Sequence, residues 1–162
     1  MTTEITVRRA VPSDAAMVAE MRVRSSAERN APVLPERNEA FRAACEAAIE
    51  AELREGGTRV WLAFEGDRAI GTATLMLLPT LPRIRSRAGI VASARDGRVR
   101  NVYVEPEYRR RGIAHALMRE VLDEAWRENV DRLTLGASDM GRPMYEKLGF
   151  VAKSDEMIFE GS

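Results

Sequence analysis

The chain has few of the residues that build metal sites and disulfides. It contains one cysteine, Cys45, and one histidine, His115. An internal disulfide, a multi-cysteine metal site and a zinc site with two or three histidines are therefore excluded. A nucleophilic pair of Cys45 and His115 is formally open, but Cys45 falls in an alanine-rich helical pattern that favours a buried thiol. We expect a protein without a metal.

The sequence also lacks an excess of either charge and any long apolar run. It has 25 Lys and Arg against 25 Asp and Glu, so the formal net charge is zero. A whole-protein basic field of the kind that attracts nucleic acid is absent. No apolar run approaches the roughly 20 residues that span a bilayer, and the first residues do not resemble a signal peptide. We expect a cytoplasmic protein with neither a nucleic-acid nor a membrane partner.

What is present is typical of one soluble domain. The 162 residues are 45% hydrophobic and 31% charged, and a chain of this size buries about 70% of the surface that it exposes when unfolded. We find no internal repeat and no linker, which predicts a single domain over residues 1–162.

Periodicity predicts a mixed α/β (α+β) order. Alternation predicts strands at residues 5–8, 60–64, 69–78, 98–105 and 133–137, with one or two more within 150–159. A spacing of 3.6 residues predicts four helices: one that begins near residue 12, one over 41–53, one over 110–127 and a short one at 141–148.

The strand at 98–105 carries apolar residues on both faces. If it is regular, Val102 and Val104 lie on one side and Val99 and Tyr103 on the other. This pattern is typical of a strand in the middle of a sheet.

Residues 79–96 lack periodicity and contain four arginines. A connection of this length inside one domain is usually functional or mobile. Its arginines form either a solvated surface or part of a lid that faces the substrate; they are Arg83, Arg85, Arg87 and Arg95.

The most informative segment runs from Val102 to Ala114 and joins a strand, a turn with proline, three arginines, a glycine and a helix. The first turn of a helix has backbone N–H groups without partners and a partial positive charge, so it attracts anions. Gly112 and Ala114 allow a diphosphate to approach the backbone closely. Three cations at this end oppose the dipole, which a bound anion would relieve. A solvated basic turn is the alternative interpretation.

Two linked motifs resemble the GNAT superfamily of N-acetyltransferases. Arg109, Gly112 and Ala114 carry the pattern R/Q-x-x-G-x-G/A between a strand and a helix, as in the acetyl-CoA signature of that family. Downstream, the strand at 133–138 and the segment 144–150 resemble its second signature, Y-E-K-x-G-F. The resemblance implies a mixed, mostly antiparallel, twisted sheet with a central splay, helices on both faces, and acetyl-CoA in the gap.

The resemblance also implies which residues bind the cosubstrate. Backbone groups of residues 102–104 would pair with the pantetheine arm, and the amides from 110 to 115 would hold the pyrophosphate. Ser138 stands where many members have Asn, and its hydroxyl can still donate one hydrogen bond. The implied acetyl-CoA residues are Val102, Tyr103, Val104, Arg109, Arg110, Arg111, Gly112, Ile113, Ala114, His115, Ser138 and Tyr145.

Acetyl transfer to an amine requires that the thiolate receive a proton and that the amine lose one. Tyr145 matches the family tyrosine that protonates the CoA sulfur. The alternative is a buried aromatic ring whose hydroxyl bonds to the backbone.

The amine's proton needs an acceptor. Glu105 follows the strand at 98–105 and is the candidate base, or else a solvated carboxylate before a proline; Glu156 is the second candidate. Asn101 and Tyr103 share the parity of Glu105 in a regular strand and would line the same pocket. The N–H of Val104 is the candidate donor to the thioester carbonyl.

The function implied is transfer of an acetyl group from acetyl-CoA to a primary amine, by direct attack in a ternary complex. The acceptor is a small molecule or a protein. The alternative is a module that binds or senses acyl-CoA without catalysis. A homodimer is expected only by analogy with the family.

Overall fold

The alternation and the 3.6 periodicity of the sequence produce seven strands and four helices in the computed structural model, which describes residues 4–29, 35–85, 90–91, 95–153 and 155–161. The strands are β1 Ile5–Arg9, β2 Thr58–Glu65, β3 Arg68–Pro79, β4 Ile84–Arg85, β5 Ile90–Val91, β6 Arg95–Val104 and β7 Arg132–Leu135. The helices are α1 Ala15–Arg29, α2 Pro35–Glu55, α3 Ile113–Arg127 and α4 Arg142–Lys147. Short 3-10 turns at Pro12–Asp14 and Pro106–Tyr108 precede α1 and α3.

Five strands form one mixed sheet in the order β1-β2-β3-β6-β7. All neighbours are antiparallel except β6 and β7, which are parallel. The parallel pair is connected through α3, as a parallel pair requires a crossover. The predicted mixed, mostly antiparallel sheet is confirmed.

Helices cover both faces of the sheet, as predicted. On one face α3 packs its apolar stripe against β3 and β6, with a core that includes Leu75, Val99, Val104, Ile113, Leu117, Met118 and Val121. On the other face α1 and α2 cover β2, with a core that includes Val18, Ala19, Ile49, Val60, Leu62 and Phe64.

The strand β6 is irregular, which corrects the predicted alternation. Thr72 of β3 pairs with Tyr103, but Thr74 pairs with Arg100, so β6 has one extra residue between the two pairs. Asn101 lies at this bulge with φ 53°. Because a bulge shifts the parity of the strand, Val99 faces α3 together with Val102 and Val104. It does not share the side of Tyr103.

The parallel strands β6 and β7 separate beyond Val99, which is the predicted splay, but it lies at one end of the described sheet and not at its centre. β6 and β7 pair only from Asp96 with Arg132 to Val99 with Leu135. Beyond Val99, the edge of β6 that faces β7 has no strand partner in the described sheet. The sheet therefore contains a gap beside residues 100–104.

The final strand predicted within 150–159 is wrong for the described residues, because 150–153 and 155–159 have no regular structure. Phe150 packs against the core at α3. The residues beyond it do not pair with the free edge of β7, and their large apolar side chains are exposed: Val151, Met157, Ile158 and Phe159. Alternating apolar residues form a strand only where an edge accepts their N–H and C=O groups.

The segment 79–96 contains the two-residue hairpin β4–β5, and β6 begins at Arg95. Two of its arginines are in ion pairs. Arg83 contacts Asp96 and Asp131, and Arg95 contacts Glu128. These ion pairs hold the segment 79–96 against the turn after α3. Arg87 and the side chain of Arg85 lie outside the described residues.

Candidate functional site

The segment between β6 and α3 forms a tight turn. Pro106–Tyr108 is a 3-10 turn that ends at Arg109. Arg110 and Gly112 then both have positive φ, of 64° and 78°. The helix α3 begins at Ile113, so its start lies three residues after the predicted one, because the left-handed residues cannot belong to a right-handed helix.

This turn presents a run of free backbone donors. The N–H groups of residues 110–115 donate to no protein acceptor in the part of the chain that is described, and the first bond of the helix runs from Ala116 to Gly112 O at 3.0 Å. A Cβ built on Gly112 meets no atom within 4 Å, so the space over the turn is open. Consecutive free N–H groups at a helix N-terminus form a concave site for phosphate groups.

Two of the three arginines in the turn are structural. Arg109 forms a double ion pair with Glu28 of α1, at 2.7 and 2.6 Å, and its Nε donates to Val104 O at 2.9 Å. Arg111 lies 3.4 Å from Glu65. These carboxylates offset the repulsion between the arginines and the helix dipole, so the arginines do not require a bound anion for this purpose. The sequence motif gave no signal for Glu28.

The edge of β6 beside the turn borders the splay. Val104 pairs with Gly71 of β3, and the N–H of Glu105 donates to Ile70 O at 2.9 Å. The opposite edge, along residues 102–104, faces the gap towards β7. The structure thus brings Val102–Val104 to the gap and the free amides of 110–115 to its end.

Tyr145 and Ser138 lie together on the far side of the gap, beyond β7. A Cβ on Gly141 would lie 3.1 Å from Tyr145 Cε2 and 3.2 Å from Ser138 Oγ, so Gly141 allows the two side chains to approach. Ser138 Oγ accepts a hydrogen bond from Gly141 N at 3.2 Å.

The Tyr145 ring is buried, packs edge-on against Phe150 and has its pKa raised by burial. No hydrogen bond of its hydroxyl is found in the described part of the chain. The alternative in which this hydroxyl bonds to the backbone therefore finds no support.

The two carboxylates predicted as bases both face arginines. Glu105 is only 4% exposed, and its carboxylate accepts from Arg24 of α1. Glu156 lies 3.8 Å from Arg98, in the part of β6 that still pairs with β7 and so outside the splay. The structure does not bring Glu105 and Glu156 together.

Despite the bulge, Asn101, Tyr103 and Glu105 all face α1. Asn101 Oδ1 accepts from Arg22 of α1 at 3.0 Å. Tyr103 lies under the guanidinium of Arg109, and its pKa is raised first by burial and then by Glu105. A polar wall therefore runs along this side of β6.

Cys45 and His115 lie on opposite faces of the sheet. Cys45 packs with the α1 and α2 core, and His115 is exposed on α3. Burial raises the pKa of the Cys45 thiol. A nucleophilic pair of these residues is excluded by the fold. No group of three or more His, Cys, Asp or Glu within the described ranges is arranged to hold a metal ion, and no helix there has the length and apolar character that a membrane crossing requires.

The mixed splayed sheet and the amide-rich turn define the class of protein. Residues 26–162 match the acetyltransferase (GNAT) domain family. The chain belongs to this family.

Individual relatives are consistent with that assignment. A glucosamine 6-phosphate N-acetyltransferase of Trypanosoma brucei brucei is 29% identical over 100 residues, which are 62% of this chain and 63% of that protein. The chain thus spans less than two thirds of that relative's length. A predicted acetyltransferase of Clostridium acetobutylicum, whose crystal structure is with acetyl-CoA, superposes with a TM-score of 0.81 at 24% identity, covering 97% of this chain and 96% of that one. A GCN5-related N-acetyltransferase of Ralstonia eutropha JMP134 superposes with a TM-score of 0.78 at 24% identity, covering 97% and 98%. At this identity the two structures show the fold alone.

Proposed function

We propose that the protein transfers the acetyl group of acetyl-CoA to a primary amine by direct attack in a ternary complex. The observation that carries the proposal is the run of free amides at 110–115 beside the open edge of β6. Acetyl-CoA has a diphosphate and an extended arm, which match a phosphate-binding turn and an unpaired strand edge. The Clostridium acetobutylicum structure with acetyl-CoA supports the same choice of cosubstrate.

The residues around the gap have separate parts in binding. The amides of 110–115 hold the diphosphate, and backbone groups of Val102–Val104 pair with the arm. Ser138 bonds to the arm from the other side through its hydroxyl. The side chains of Arg109 and Arg111 support the turn from behind. Because the N–H of Glu105 donates to Ile70 O of β3, the alternation of the strand turns the N–H of Val104 to the gap. We assign this N–H to the thioester carbonyl.

The reaction needs two proton movements. The amine nitrogen attacks the thioester carbon, the C–S bond breaks, and the CoA sulfur takes the proton of the Tyr145 hydroxyl. Burial raises the Tyr145 pKa, so this group holds its proton at neutral pH. The amine enters neutral. Because Glu105 is paired with Arg24, and Glu156 lies outside the splay, we assign to water the one proton that the attacking nitrogen loses as the amide forms. Water also returns a proton to the Tyr145 phenolate, which closes the cycle.

A direct test compares Tyr145→Phe with wild type in an assay of CoA release over a panel of amines. The change removes the acid but no hydrogen bond that the described residues form. We expect kcat to fall by roughly 10²- to 10⁴-fold, with an unchanged dissociation constant for acetyl-CoA by calorimetry. Tyr108→Phe is the matched control, since it removes a hydroxyl that bonds to Glu65 at 2.7 Å, and its kcat should stay near that of wild type.

Equal kcat for Tyr145→Phe and wild type would remove this residue from the mechanism. A second candidate function is an acyl-CoA-binding or sensing module. Tight acetyl-CoA binding without CoA release from any amine in the panel would favour it over the enzyme.

A further inference from the structure

Three arginines with little compensating charge meet where α1 and α2 approach the bulge of β6. Arg22 of α1 donates from Nη1 to Asn101 Oδ1 at 3.0 Å. Arg100, the preceding residue of β6, forms an ion pair with Glu52 of α2. Arg29 and Arg100 each act on Arg22 by charge repulsion, so Arg22 is the residue that the other two approach.

Charge is not balanced within this cluster. No carboxylate in the described ranges forms an ion pair with Arg22 or Arg29. The acidic side chains of α1 pair with other arginines, Glu20 with Arg24 and Arg42 and Glu28 with Arg109. The pKa of Glu28 is lowered first by Arg109 and also by the charge of Arg29. Burial, followed by repulsion from Arg29, lowers the pKa of Arg22. Glu52 offsets Arg100, and Glu28 acts on Arg29, which is exposed. Arg22 is half-buried and has no carboxylate partner among the described residues, so it is the cation of this cluster that interacts most strongly with an anion.

The same place contains buried polar atoms without protein partners. Arg100 Nε and Thr74 Oγ1 are both buried and unbonded, and the two residues are direct partners in the pairing of β3 with β6. A buried donor without an acceptor is destabilising. Both atoms are enclosed by the protein, so an anion would contact the partly exposed end of the Arg100 guanidinium and not its Nε.

The bulge in β6 determines the orientation of Arg22 through Asn101. Asn tolerates the left-handed region better than most residues, and its position at φ 53° directs its amide oxygen to Arg22. Asn101 stands directly before Val102–Val104, where the thioester would lie under the proposed function. At about 3.3 Å per residue, Asn101 and Val104 are roughly 10 Å apart. This distance fits a small acceptor that carries its acid at one end and its amine at the other.

We propose that Arg22 and Arg100 bind an anionic group of the acceptor, so that the acceptor is a small primary amine that carries a phosphate or a carboxylate. The proposal rests on the proposed function, because it assigns the acceptor of that reaction. The planar guanidinium of Arg22, held by Asn101, presents its remaining N–H groups to two oxygens of the anion. Arg100 adds a second cation from the strand.

The first experiment measures CoA release from matched amines that differ only in the acid: amino sugar phosphates beside amino sugars, phosphoethanolamine beside ethanolamine, and amino acids beside their amides. We expect the acidic member of a pair to be the better acceptor. Arg22→Gln should raise KM for it roughly 10- to 100-fold, as for a lost bond to a charged group, with little change in kcat. Arg22→Lys should retain part of the effect.

Arg54→Gln is the matched control, because Arg54 is an exposed arginine of α2 that pairs only with Glu50 among the described residues. It should leave KM and the preference for acidic acceptors unchanged. Preference for phosphate-bearing amines identifies a phosphate site, and preference for amino acids identifies a carboxylate site. The proposal would be overturned if neutral amines were acetylated as efficiently as acidic ones. It would also be overturned if Arg22→Gln kept the preference for acidic acceptors.

A second experiment does not depend on turnover. Inorganic phosphate and acetate are titrated calorimetrically into protein that is saturated with CoA, so that the turn at 110–115 is already filled. Binding of either anion should occur in wild type and Arg54→Gln and be lost in Arg22→Gln and Arg100→Gln. Absence of anion binding in wild type would contradict the anion site, even if acetyl transfer is observed. Anion binding without CoA release from any amine would contradict the proposed function alone.

Discussion

Gly112, at the start of α3, and Gly56, after α2, have nearly the same backbone conformation, with φ of 78° and 79°. A Cβ placed on either glycine meets no atom within 4 Å. Substitution at either position therefore incurs the same left-handed backbone cost without a clash. Only Gly112 adjoins the free amides, so the two residues separate the effect of conformation from that of the proposed site.

Gly112→Glu and Gly56→Glu provide the matched test. Each should lower the free energy of unfolding by about 1–2 kcal/mol, the cost of an L-residue in the left-handed region. Gly112→Glu should also abolish CoA binding, because it puts a carboxylate where the proposed function places the diphosphate. Calorimetric titration with CoA decides the matter, and undiminished affinity in Gly112→Glu would refute the placement of the cosubstrate.

At the scale of the element, the junction between β1 and α1 depends on one buried carboxylate. Asp14 is 5% exposed and accepts two hydrogen bonds from Arg8, at 2.7 and 3.0 Å, and one from Val11 N at 2.9 Å. The side-chain bonds of Arg8 are the main reason why the pKa of Asp14 is lowered, and burial opposes them. The carboxylate thus connects the strand to the first turn of the helix.

Since the pKa of Asp14 is lower in the folded chain, its ionised form stabilises the fold above the ordinary value of 3.8. That stability is lost as the pH falls through the lowered pKa. Asp14→Asn should reduce the free energy of unfolding by about 1 kcal/mol at pH 7, in the range of a lost capping bond.

The difference between Asp14→Asn and wild type should shrink as the pH is lowered past the folded pKa. Denaturant titrations at neutral and acidic pH measure it. Asp67→Asn, in the exposed turn between β2 and β3, is the control and should show no such difference. A difference in the free energy of unfolding between Asp14→Asn and wild type that stays constant with pH would contradict the electrostatic account.

For the whole molecule, the sheet places the two halves of the proposed site on different supports. The free amides of 110–115 belong to the turn before α3. Arg22 and Arg24, which bond to the polar wall of β6, belong to α1 on the opposite face of the sheet. A gap between separating strands exists only in the folded state. A ligand that fills it binds the folded chain and not the unfolded one, so it must raise the unfolding temperature.

Acetyl-CoA at 100 times its dissociation constant should stabilise the protein by about 2.7 kcal/mol. For a chain of this size, that corresponds to a rise of roughly 5–11 °C in Tm. Thermal unfolding with increasing acetyl-CoA measures the shift, and Gly112→Glu should show none. An unshifted Tm in wild type at saturating acetyl-CoA would be inconsistent with a site in the gap.

Much of the fold was predictable because local patterns and the fold agree. The alternation of β2 and β3 and the apolar stripe of α3 each locate an element, because the strands and the helix bury their apolar side chains against one another. The turn at 109–112 was predictable only in its position, because the glycine and the arginines stand between a strand and a helix. Its left-handed residues Arg110 and Gly112 were not predicted, since the helix was expected to begin at residue 110. The bulge at Asn101 was not predictable, because it depends on the register with β3.

The order of chemical groups along the chain by itself determined the family, the sheet and the position of the amide-rich turn, since these depend on contacts between near neighbours and on periodicity. The tertiary structure alone decided the partners of the charged side chains. It paired Arg109 with Glu28, turned Glu105 to Arg24 and left Arg22 without a carboxylate among the described residues. The physical reason is that these partners are distant in sequence, so only the packing of α1 against β6 determines which charges meet.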